Sequence, residues 1–247
     1  MSSFKWSFTK VDTFYTCLRR FKFQFVDKVK VGGKVNAFAI GEGLHRFLEY
    51  YSLNPQASLQ ECQAVYTKAA LKHPDLEDKA MVPANLGLVQ RYMESGKRLE
   101  PLRDTTGAPI TERWFSIRCG SGVTCIGKID LVTQNHAVVD YKSASRPFQQ
   151  LDVEETLTGK GLQLTIYGAA YDQWFGKPPA MVGFQVLVKN NFQVQNLGSY
   201  RSAKHIQDVK DLIVITDQKF LALKSFPKNK FAQCHWCPYR DLCAEEE

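Results

Sequence analysis

The sequence predicts a mixed α/β fold of the α+β kind, a central sheet with helices on its faces. Three observations carry this. The front third places apolar residues at helical spacing, the period changes to that of strands after about residue 108, and one helical stretch separates the first strands from the last. With 247 residues, 44% of them hydrophobic and 23% charged, the chain can bury a full core as a single domain, 1–247. Its parts are a helical front (9–98), a core (109–200) and a C-terminal helix with a cysteine-rich end (202–247).

In order, residues 9–26 (TKVDTFYTCLRRFKFQFV) predict a helix or helical turn rich in aromatics and arginine. Residues 37–53 carry Phe38, Leu44, Leu48 and Tyr51 on one helical stripe. Residues 58–73 and 85–98 predict two more helices, the second preceded by Pro83. Strands are predicted at 109–120, 123–132 and 137–142, with turns at Gly120-Ser121-Gly122 and Gln134-Asn135. A helix at 160–175, strands at 181–189 and 192–200 around Asn190-Asn191, and a long helix from Ser202 to Lys224 complete the pattern.

No stretch approaches the ~20 apolar residues of a membrane span, and the start lacks the apolar run of a secretory signal. The expectation is a cytoplasmic protein that does not engage a membrane; the basic, Ser-containing start also fits an organellar transit peptide. The net charge is +7, and residues 1–34 alone hold eight Lys and Arg against two Asp. Such clustering suits a polyanion or a solvated basic face. The terminal Glu245-Glu246-Glu247 reads as a solvated tail.

The segment GKIDLVTQNHAVVDYKS sets Asp130, Asp140 and Lys142 in otherwise apolar strands. A three-residue connection, Gln134 to His136, would put Asp130 opposite Asp140, side chains on one face ~5 Å apart. A divalent cation relieves that repulsion, because hard cations take carboxylate oxygens. The plainer reading of Asp-x-Lys alone is a salt bridge at a strand end.

GKIDLV followed by VVDYKS resembles the paired motifs of the PD-(D/E)XK nuclease superfamily, Asp130 and Asp140 matching its acids and Lys142 its lysine. The resemblance implies a restriction-endonuclease-like mixed sheet and a phosphodiesterase using Mg²⁺ or Mn²⁺, with the Tyr141 carbonyl as a further ligand. Gly41-Glu42-Gly43-Leu44-His45 resembles the histidine motif of the RecB-like branch, which makes His45 a ligand as well. Gln163 and Tyr167, neighbours on one helical face, resemble that branch's Gln-x-x-x-Tyr helix. Glu112 matches an acid often found at the start of the first strand.

Seven cysteines, an odd number, argue for a reducing compartment. Cys234-x2-Cys237-x5-Cys243, with Cys17 far upstream, suits zinc or an iron–sulfur cluster alike. The resemblance to RecB-like nucleases such as CRISPR-adaptation nucleases and AddB implies a [4Fe–4S] staple; His235 inside the motif is a departure that leaves zinc as the second reading. Cys62, Cys119 and Cys125 read as core thiols.

Together the resemblance implies a deoxyribonuclease, an exonuclease on single-stranded DNA or DNA ends in recombination, repair or CRISPR adaptation, with a protein partner from one of those systems. Lys142 would orient or deprotonate the attacking water and offset developing charge, Gln163 would position Lys142 or the scissile phosphate, and Tyr167 would contact the DNA backbone. Arg19, Arg20 and Lys22 would hold a strand, with Trp6, Phe14 or Tyr15 stacking bases. The alternative is a non-catalytic or weakly active nucleic-acid-binding subunit of a processing complex.

Overall fold

The computed structural model describes residues 4–31, 36–73, 76–229 and 232–245. Lys34 of the basic cluster and Glu246 and Glu247 of the tail lie outside them.

The chain opens with a two-residue strand β1 (Lys5–Trp6), helix α1 (Phe8–Thr16), helix α2 (Leu18–Phe21) and a π turn (Lys22–Val26). The helix or helical turn expected over 9–26 is present in pieces, interrupted at Cys17, whose backbone is extended (φ −160°, ψ 113°). The C-terminal segment takes up the groups the break exposes. Asn229 Nδ2 donates to the Thr16 carbonyl, the Arg19 amide to Pro227, and Arg19 Nε to Phe226. Tertiary contacts with a distant segment thus override local helical pattern.

Helix α3 (Asn36–Leu53) follows, then α4 (Leu59–Leu71), α5 (Met81–Ala84) and α6 (Leu86–Glu94). Ser58 caps α4 reciprocally with Glu61. Pro83 lies within α5 rather than ahead of a longer helix, and α6 ends well before Arg98, just ahead of Gly96 at φ +64°. Ile40, Leu44, Phe47 and Leu48 form the buried face of α3; Phe38 falls off that face and is 75% exposed, contrary to its expected place on the apolar stripe. Gly43 lets α3 approach α4 closely, since a Cβ there would stand 2.9 Å from the Tyr66 ring and carbonyl.

The sheet proper comprises β2 (Thr111–Gly120), β3 (Val123–Val132), β4 (Ala137–Ala144), then β5 (Met181–Val188) and β6 (Gln193–Ser199) after α7 (Leu151–Glu154) and α8 (Gly159–Phe175). Helix α9 (Ala203–Ala222), a 3₁₀ turn (Ala232–Trp236) and α10 (Arg240–Glu245) close the chain. Strands β2, β3 and β4 pair antiparallel; α8 then carries the chain across so that β5 runs parallel to β4, and β6 pairs antiparallel with β5. The six-stranded sheet is mixed, with helices on both sides. One core packs around α1, α8 and α9, the other around α3, α4 and α6.

One irregularity positions everything that follows. Strand β2 accompanies β3 from Val123 to Leu131. Strand β1 pairs with β3 at Thr124–Cys125 and β4 pairs with it at Leu131–Val132, so both share its other edge. Residues 126–130 of β3 lie along the split between them.

Trp6 and Phe14, expected as base-stacking platforms, are buried. Trp6 stacks on Phe21 (centroids 5.8 Å apart) and its Nε1 donates to the buried Asp217 of α9 at 2.8 Å. Burying these rings holds the N-terminal segment on the core.

Candidate active site

Continuing the strand registers by one residue sets Glu112, Asp130 and Asp140 in a row across β2, β3 and β4, where β3 and β4 part. Because the sheet opens there, both helix layers reach the acids. Helix α3 brings His45 Nδ1 to 3.4 Å from Asp130 Oδ2, and α8 brings Gln163 Nε2 to 2.8 Å from Asp140 Oδ1. The Tyr141 amide donates to Asp130 Oδ2 at 2.8 Å in place of a ladder bond.

Two groupings result. One ligand atom each from His45, Glu112 and Asp130 lies within 4.8 Å of the others, a set that could hold a metal ion. Beside it, Lys142 Nζ stands 2.7 Å from Asp140 Oδ2 and donates to Gln163 Oε1 at 3.0 Å, while Gln163 Nε2 also donates to the Tyr167 hydroxyl at 2.9 Å. Asp140, Lys142, Gln163 and Tyr167 thus form one connected network. Glu112, matched to the family only loosely in the sequence, belongs to the tight ligand group; its backbone is left-handed (φ +48°), an uncommon conformation for a non-glycine residue. Lys128, on the neighbouring strand, pairs with its carboxylate, and Arg46 NH1 lies 3.7 Å away.

Electrostatics favour a cation. Burial, reinforced by Asp140, pushes the Asp130 carboxyl well above the usual carboxylate range, and the Tyr141 amide pulls it part of the way back. Burial lowers His45, favouring the neutral imidazole that ligates metals, although Asp140 and a hydrogen bond to the Tyr141 backbone oppose this. Asp140 Oδ2 is buried without a hydrogen bond despite the nearby ammonium. Crowded acids beside a histidine biased towards its neutral form are the donor set that a hard or borderline divalent ion fits. Burial also raises Tyr167, which keeps it a neutral phenol.

These groups line an open cleft of about 650 Å³. Among the described residues, Phe38, Arg46, His73, Trp114 and Lys128 also line it, and nothing in the sequence marks them for the site. A lone residue beside a motif gives no signal of which cavity it borders. Arg19, Arg20 and Lys22 do not line the cleft. Arg19 and Arg20 border a second cavity, of about 200 Å³, where Cys17, Cys234, Cys237 and Cys243 come together. Arg20 Nε is buried there without a partner, and Lys22 ion-pairs with Asp27 at 2.5 Å. Cys62, Cys119 and Cys125 are buried elsewhere, as expected of core thiols.

A mixed sheet split at a row of acids, with a lysine two residues beyond the last, is a nuclease architecture, and comparison with known proteins agrees. The chain belongs to the PD-(D/E)XK nuclease superfamily, whose sequence profile matches residues 5–244. The fold is also similar to the crystal structure of a protein named "Putative exonuclease" from Eubacterium rectale: TM-score 0.62, 11% identity, covering 98% of this chain and 88% of that one. A second structure, of SSO0001, covers 93% of this chain and 95% of its own at 12% identity and a TM-score of 0.39, too low for argument. No curated protein matches the sequence.

Proposed function

We propose that the chain is a divalent-metal-dependent deoxyribonuclease of the RecB-like branch, an exonuclease acting on single-stranded DNA or DNA ends in recombination, repair or CRISPR adaptation. The observation that carries this reading is the juxtaposition of the His45–Glu112–Asp130 group with the Asp140–Lys142–Gln163–Tyr167 network in one open cleft. The exonuclease name borne by the structural neighbour agrees with it.

His45, Glu112 and Asp130 would hold a Mg²⁺ or Mn²⁺ ion, with Asp140 and the Tyr141 carbonyl beside it. When bound, the ion supplies a more acidic water and charge stabilisation at the phosphate. The protein's own part is positional. Asp140 and Gln163 fix the Lys142 ammonium, which faces the cleft and offsets charge developing on the phosphate. Gln163 in turn fixes Tyr167, whose neutral hydroxyl is suited to a backbone oxygen.

The second cavity is read as the seat of a [4Fe–4S] cluster. Four cysteines lining one cavity suit zinc or an iron–sulfur cluster alike; the resemblance of their spacing to RecB-like nucleases favours the cluster. Arg19 and Arg20 would offset its negative charge, and Lys22, on the surface, is the one of the three basic residues left to the strand.

The deciding experiment is cleavage of labelled DNA with Mg²⁺, with Mn²⁺ and with EDTA. Cleavage abolished by EDTA supports the reading; binding without cleavage under every metal condition would make the chain a non-catalytic subunit.

A further inference from the structure

Phe38 and Trp114 are large apolar side chains, 75% and 71% exposed, and both line the cleft that holds Asp130, Asp140 and Lys142. Their exposure follows from where the elements put them. Burial on β2 alternates, taking Phe115, Ile117 and Cys119 inward and leaving Trp114, Ser116 and Arg118 outward. Phe38 lies two helical turns before His45 on α3, off the buried face. Trp114 is the register partner of Lys128, which pairs with Glu112. Two solvated rings beside a row of acids are not core, and neither is a satellite of one.

A basic groove continues the cleft. A neighbouring cavity of about 460 Å³ shares Glu42 and Arg46 with it and is otherwise lined by Val65, Ala69, Lys68 and Lys72. Lys68 and Lys72 are four residues apart, at the end of α4, and face the same way. Lys68, Lys72 and Arg46, which also pairs with Glu49 at 2.9 Å, outnumber the acids beside them and suit a phosphate chain.

We propose that the cleft binds single-stranded nucleic acid by stacking bases on Phe38 and Trp114, with the strand leaving over Arg46, Lys68 and Lys72. Every base offers a π face, so the site selects unpaired bases without selecting sequence. A duplex interior offers none, because its bases stack on each other. The inference rests on the nuclease reading and names how that site chooses its substrate.

The test is fluorescence-anisotropy binding of a labelled single-stranded DNA oligonucleotide in EDTA, where cleavage is blocked, against the same strand carrying abasic positions. Trp114→Ala and Phe38→Ala should each weaken binding of the normal strand about tenfold. They should leave the abasic strand's affinity unchanged, and Trp114→Phe should retain most of the wild-type value. Lys68→Ala with Lys72→Ala should weaken both strands alike and flatten the salt dependence by roughly 0.7 per lysine. Both aromatic residues are exposed, so the variants should melt with the wild type. Equal losses on normal and abasic strands, or no loss, would overturn the stacking. If the wild type cleaves single-stranded DNA with Mn²⁺ while the aromatic variants bind it normally, the nuclease reading survives and only this inference falls. A wild type that neither binds nor cleaves DNA removes both.

Discussion

In the cleft, each key side chain has a protein partner: Gln163 holds Asp140, Lys142 and Tyr167, and the Tyr141 amide holds Asp130. The supports are strands and the 17-residue helix α8. In the cysteine cavity, Cys17 sits in a helix break and the other three lie in a 3₁₀ turn, a turn and a short helix. Cys234 Sγ makes a long contact, 3.6 Å, to the Asn229 carbonyl. One site is built by the fold before anything binds. The other is assembled from chain ends whose closure is costly without a cross-link, since a loop from Cys17 to Cys234 spans most of the protein. Substitutions should therefore separate chemistry from stability.

The largest effect is expected in the cleft. Asp140→Ala or Lys142→Ala should lower cleavage about a thousandfold, the scale of removing one group from a charge-stabilising set, while thermal melting stays near wild type. Single-turnover rates and calorimetry on the same preparations check both halves. Normal cleavage by Asp140→Ala would end the mechanism.

Cys17→Ala should do the opposite. It should lose the brown colour and iron of an anaerobic preparation and, because metal–thiolate bonds couple to folding, several kcal/mol of stability. Metal analysis with denaturant melts would show it, with Cys62→Ala keeping its colour as the control. A colourless wild type carrying one zinc would keep the staple and reject iron.

A smaller, purely structural effect is expected where the N-terminal segment meets α9. Trp6→Phe leaves the buried Asp217 without its indole donor and should cost roughly 1–3 kcal/mol. The loss should also loosen the cysteine cavity, read as faster release of iron, with the cleft's metal affinity unchanged.

The least disturbance concerns the core thiols. Burial pushes Cys119 up to about 11 and raises Cys125 and Cys62 as well. At pH 8 in the native protein, mass spectrometry should find these three scarcely alkylated by iodoacetamide after hours, although the four cavity thiols of metal-free protein react.

The strands, the acid row and its lysine were legible because charge in an apolar run is conspicuous, and a short connection fixes register arithmetically. The four cysteines were legible through spacing and do meet in one cavity. Other features depend on partners far along the chain. Two-residue β1 is too short to show a period, and its pairing with β3 is nonlocal. The break at Cys17 is stabilised from residues 226–229. Aromatics were the least legible class. Trp6 and Phe14 look like solvent-facing platforms in a basic segment yet are core, whereas Phe38 looks like core and borders the cleft. Hydrophobicity says that a ring seeks contact, without saying whether protein or ligand provides it.

The left-handed backbone at Glu112 has an evolutionary consequence. Holding a residue with a full side chain there costs of the order of 1 kcal/mol, while glycine or asparagine would adopt the same turn more easily. A lineage relieved of nuclease work and selected for stability alone should shed this glutamate early, before the better-supported Asp140. Across relatives of this fold, glutamate at the left-handed position would then mark a working cleft, and glycine or asparagine a retired one.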